Sequence, residues 1–86
     1  MNIIKNAEQF FDILNSGKGT QYSFYSEVKE VIRKLEEKNK PYTVFTIRDD
    51  NDEAPWYITS GIGIVNSIGY YILTGNYQLE NEYLEL

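Results

Sequence analysis

Eighty-six residues with a formal net charge of −5 make one small acidic domain, able to bury roughly 60–65% of the surface its unfolded chain exposes. Apolar residues supply 42% and charged residues 24%, a globular balance rather than a disordered one. The chain has no cysteine and no histidine, which excludes disulfides, thiol redox chemistry, thiolate or imidazole metal sites, and any nucleophile activated by histidine.

The charge is unevenly placed. Residues 1–48 hold all the lysines and arginines, whereas residues 49–86 hold seven acidic residues and no cation. A segment that cannot neutralise its own field is expected to give the folded surface a negative region. Such a region repels nucleic acid and anionic membrane and attracts basic protein surfaces. The start, Met1-Asn2-Ile3-Ile4-Lys5, lacks the apolar stretch of a signal peptide. No apolar run approaches the ~18–20 residues that span a bilayer, so a cytoplasmic location is expected.

In chain order, Asn6 reads as an N-cap with Gln9 three residues on, and Ala7, Phe10, Phe11 and Leu14 form one apolar stripe of a short helix. Gly17 ends that helix, and residues 18–22 read as a loop. A second helix follows, with Ser23 as cap and Phe24, Val28, Val31, Ile32 and Leu35 at helical spacing. Glu27 and Glu30 sit near its positive end, and Arg33, Lys34 and Lys38 near its negative end. Pro41 stops the helix.

From Tyr42 the period becomes two. Thr43, Phe45 and Ile47 share one face of a strand, and Tyr42, Val44, Thr46 and Arg48 the other. Residues 49–55 read as a turn into a strand at Trp56-Tyr57-Ile58-Thr59. Further β segments are expected at Ile62–Val65 and Gly69–Thr74, and the tail Tyr77–Leu86 reads as an edge strand or a short helix, with the strand favoured. The expected fold is α+β: one domain over residues 1–86, with two N-terminal helices packed on one face of a three- to four-stranded antiparallel sheet.

No constellation suits catalysis. The acidic run Asp49–Glu53 lacks the glycine and the bidentate glutamate of a calcium loop, so no metal is expected. Ser60-Gly61-Ile62-Gly63 has neither the dinucleotide fingerprint nor the P-loop lysine, so no cofactor is expected. The pairs Asp49/Asp50, Asp52/Glu53 and Glu80/Glu82 fall in turns or the tail, where water keeps both members ionised. The sequence therefore reads as a non-enzyme. The aromatics are more informative, because Tyr57, Tyr70, Tyr71, Tyr77 and Tyr83 cannot all point inward from alternating strands. These residue types dominate interface hot spots. The candidate partner-binding residues are Asp49, Asp50, Asp52, Glu53, Trp56, Tyr57, Tyr70, Tyr71, Glu80 and Glu82.

Size, charge, a composition rich in AT-encoded Asn, Lys, Ile, Tyr and Phe, and the acidic turn before Trp56-Tyr57 give a class-level resemblance. The chain resembles small acidic phage-encoded inhibitors, such as anti-CRISPR proteins and uracil-DNA glycosylase inhibitors. The resemblance implies a bacterial host cell and a partner with a basic, nucleic-acid-handling surface, with no direct contact to nucleic acid or membrane. Imitation of DNA along the whole molecule is not expected, since duplex DNA carries about 18 charges over the ~30 Å such a globule spans. The alternative is a structural or assembly subunit that oligomerises, as a homodimer for instance, through a tyrosine-rich sheet face.

Overall fold

The computed structural model describes residues 2–49, 56–63 and 66–86. The acidic turn beyond Asp49, and Ile64 and Val65 of the expected Ile62–Val65 strand, lie outside the described residues. The elements in order are β1 (Asn2–Ile4), α1 (Ala7–Ile13), a wide turn Leu14–Lys18, β2 (Gly19–Tyr22), α2 (Tyr25–Glu37), β3 (Tyr42–Arg48), β4 (Tyr57–Ser60), β5 (Ser67–Thr74), β6 (Tyr77–Leu79) and β7 (Tyr83–Glu85). Five strands form an antiparallel sheet in the order β2-β5-β3-β4-β7, and β1 pairs with β6 in a small parallel sheet. The α+β class holds, with one strand more in the main sheet than the upper expectation.

Local chemistry explains both helices. Asn6 accepts a hydrogen bond from the Gln9 amide at 2.8 Å, and the Gln9 side chain accepts one from the Lys5 amide at 2.8 Å, which secures the start of α1. Gly17, at φ +88°, lets the chain leave the turn. The start of α2 is held by the Glu27 carboxylate, which accepts from the Phe24 amide at 3.1 Å, so Phe24 and not Ser23 stands at the cap.

Strand alternation then decides where the helices go. Phe45 pairs with Tyr71, Ile47 with Ile58, and Ile58 with Leu84, so these side chains share one face. Phe10 of α1 lies on that face with its ring edge-on to Phe45 at 5.3 Å and to Tyr71 at 5.5 Å. Ile4 and Leu79 of the small sheet complete this core. On the opposite face, Tyr70 lies 6.3 Å from the Tyr25 ring of α2, and Tyr42 donates to the Glu36 carboxylate at 2.7 Å. The helices therefore cover opposite faces of the sheet. The expectation that both cover one face is corrected by the adjacency of Tyr70 and Tyr71, which a strand must point in opposite directions.

Residues 19–22, which the sequence assigns to a loop, form β2. It is a strand because Gly19 allows close approach: a Cβ there would press on Leu73 and lie 2.8 Å from a Leu14 methyl. Residues 61–63, after β4, lie against β3 and are not in a strand. The buried Thr46 hydroxyl donates to the Gly61 carbonyl and accepts from the Gly63 amide at 3.3 Å.

Two substitutions measure these contacts. Phe10→Ala is expected to cost about 3–5 kcal/mol in urea unfolding, a large part of what a chain this size holds. Thr46→Val is expected to cost about 1–3 kcal/mol by taking the hydroxyl partner from the Gly61 carbonyl and the part-buried Gly63 amide, while Thr46→Ser retains most of that stability.

Candidate protein-interaction surface

Coverage of the sheet is uneven. Val28 and Ile72 are buried on the α2 side, and α2 contacts β2 and β5. Segment 61–63 shields Thr46 of β3. Beyond it, β4 and β7 carry Tyr57 and Tyr83, whose rings pack against each other at 4.9 Å. They are diagonal neighbours on one face, since Tyr57 pairs with Glu85 and Thr59 with Tyr83. Tyr83 is 46% exposed.

Trp56 extends the same ladder, because its carbonyl accepts from the Leu86 amide at 2.9 Å. Trp56 and Leu86 are also exposed, at 51% and 45%. Alternation puts them on the α1 side, beyond the reach of Phe10 and its neighbours. This corner of the sheet thus shows large side chains on both faces.

The described carboxylates after Arg48 are placed around it. Asp49 is half-buried, its amide donating to the Asn66 carbonyl at 3.1 Å; Glu80, Glu82 and Glu85 are exposed. Among the described residues, the ion pairs lie within α2, Arg33 to Glu30 at 2.6 Å and to Glu37 at 2.5 Å. The Arg33 guanidinium holds the Glu30 carboxyl below its ordinary range, first through its hydrogen bond and then through its charge. Arg33 is thus occupied on its own helix, and Asp49, Glu80, Glu82 and Glu85 have no ion-pair partner among the described residues.

Two shallow grooves flank the turn that leads into β7. One, of about 460 Å³, is lined by Lys5, Asn6 and Ala7 opposite Asn81–Glu85. The other, of about 490 Å³, runs between Thr59-Ser60 and Gln78–Glu82. Among the described residues, no group of three or more carboxylates gathers where a metal ion could be held, and no helix is long and apolar enough to cross a membrane.

The structure brings together Asp49, Trp56 and Tyr57 at one end of the β4–β7 ladder, and sets Glu80 and Glu82 at the other. Asp50, Asp52 and Glu53 lie outside the described residues. Two expected contact residues are elsewhere. Tyr71 is 4% exposed beneath Phe10 and Phe11, a core residue and not a recognition residue. Tyr70 is half-buried beneath Tyr25, separated from the Trp56 corner by β3. The candidate contact residues read from the sequence do not include Tyr83, Glu85 and Leu86. The alternation in Tyr83-Leu84-Glu85-Leu86, with Leu84 buried, is the signal that marks them.

No family model matches the chain, and no curated protein or solved structure matches it.

Burial pushes the Tyr71 phenol above its ordinary value near 10. An unfolded chain then loses this proton before the folded one does, so the associated stability is complete below pH 10 and is lost as pH rises through the folded value. Tyr71→Phe is expected to flatten the fall in unfolding free energy above pH 10, measured by urea titration across that range.

Proposed function

We propose that the protein is a non-enzymatic binding module that docks its β4–β7 corner on a basic protein surface, as an inhibitor or modulator of a nucleic-acid-handling protein. The observation that carries this reading is that exposed Trp56, Tyr83 and Leu86 lie along one sheet edge with Glu85, and with Glu82 at its far end, carboxylates that have no ion-pair partner among the described residues. Aromatic anchors supply buried area and carboxylates at the rim supply steering, the usual division of labour in a charge-guided interface. A bacterial, cytoplasmic setting and a phage or mobile-element origin belong to the same reading through the class-level resemblance. The scale of the acidic patch favours a block on one basic subsite over imitation of a DNA duplex.

Assembly through a tyrosine-rich face has less support. Tyr71 is in the core, Tyr70 is under α2, Tyr42 is tied to Glu36, and only Tyr57 and Tyr83 pack together near the open edge.

Capture of binding proteins by the immobilised chain tests the proposal. The partner is expected to be held at about 50 mM salt and largely released at about 0.5 M, because exposed charges are screened within a few ångströms there. Joint replacement Glu80→Gln, Glu82→Gln and Glu85→Gln is expected to weaken binding about tenfold, at a few tenths of a kcal/mol or more per charge. The control Glu30→Gln, on α2, is expected to leave binding intact. Equal capture by all three proteins at both salt concentrations contradicts the proposal.

A further inference from the structure

The hydrogen-bond parity of the β4–β7 ladder says which backbone groups have no strand to meet. In an antiparallel pair, successive residues alternate between bonding their partner and pointing away from it. The Leu86 amide bonds the Trp56 carbonyl, which makes Trp56–Leu86 a bonded pair. Two residues on, Ile58–Leu84 is therefore bonded, and Tyr57–Glu85 and Thr59–Tyr83 are not. The β3–β4 side agrees: the Gly61 amide bonds the Val44 carbonyl at 2.8 Å, so Thr59 and Tyr57 of β4 spend their backbone groups on β3. The N–H and C=O groups of Tyr83 and Glu85 accordingly face outward. Among the described residues, no strand lies on that side of β7.

We infer that β7 accepts a further strand, namely an extended segment of the partner protein that alternates basic with small apolar residues. This deepens the docking reading above and rests on it. Strand addition supplies affinity through main-chain hydrogen bonds, with side chains at alternate positions supplying choice. The surroundings of β7 specify those side chains. On the α2 side, an incoming residue meets Tyr83, Tyr57 and Glu85, two aromatic rings and a carboxylate, which together favour lysine or arginine. On the α1 side, it meets Leu84 and the groove wall of Ala7, with Lys5 and Glu82 on the same groove offsetting each other's charge, so that a small apolar side chain fits.

The same charges argue against a second copy as occupant. Pairing β7 antiparallel with itself, Tyr83 opposite Glu85, would set Glu85 of the two copies diagonally across from each other on one face, and like charges so placed keep edge strands from self-pairing. The other sheet edge, β2, has exposed Thr20 and Gln21 and no carboxylate within it, and serves as an internal control.

The test uses the full chain labelled with nitrogen-15 and a nine-residue peptide of alternating lysine and valine, capped at both ends. A second peptide of identical sequence, N-methylated at alternate residues on its pairing edge, keeps the charge and removes the donors. The unmethylated peptide is expected to bind saturably and slow amide exchange at Tyr83 and Glu85 about tenfold or more, leaving Thr20 and Gln21 unchanged. The methylated peptide is expected to lose this protection. Equal binding by both peptides, protection at β2 instead of β7, or no binding by either overturns strand addition. The docking reading stands or falls separately, by salt-sensitive capture with the glutamine variant.

Discussion

The pairing of β3 with β5 is the constraint from which the rest follows. It sets Phe45 opposite Tyr71 and Thr46 opposite Tyr70, and so commits neighbouring residues of each strand to different sides of the sheet. Phe10 seals one side against Phe45 and Tyr71, while α2 closes over the other beside Tyr70. With a helix on each side, neither face can be covered completely. The thirteen-residue α2 is about 20 Å long and lies over β2 and β5. What remains bare is the far end of the sheet, where β4 and β7 meet.

That bare end coincides with the part of the chain that has no lysine or arginine. On α2, Arg33 answers Glu30 and Glu37 and pairs with no carboxylate of the tail. Fold and charge distribution therefore act together: the topology leaves aromatic side chains uncovered, and the chain places beside them acids that have no ion-pair partner among the described residues. A single feature of either kind would be ordinary on a small protein surface. Their overlap at one open edge is the basis of the docking role proposed for this corner.

Much of this arrangement is legible from residue patterns. The α2 stripe, the alternation through Tyr42–Arg48 and the Asn6 cap correspond directly to elements, because each rests on contacts within a few residues. The parts that sequence reasoning missed depend on distant partners. β1 is three residues long and exists because β6 lies alongside it, and β2 exists because Gly19 fits against Leu73. Tyr70 and Tyr71 looked equivalent as neighbours in an aromatic strand, and only the helix positions separate a core ring from a half-covered one. Trp56 and Tyr57 were recognisable as surface candidates, whereas Tyr83 and Glu85 needed the β4 pairing to join them.

Hydroxyl-radical footprinting of the chain, alone and bound to its captured partner, tests the claim that the β4–β7 corner is the working surface. The account predicts that Trp56, Tyr83 and Leu86 lose reactivity in the complex while exposed Phe24 and Tyr25, at the start of α2, keep theirs. Protection of Phe24 and Tyr25 with Trp56 and Tyr83 still reactive would place the partner on the other side of the molecule and contradict it.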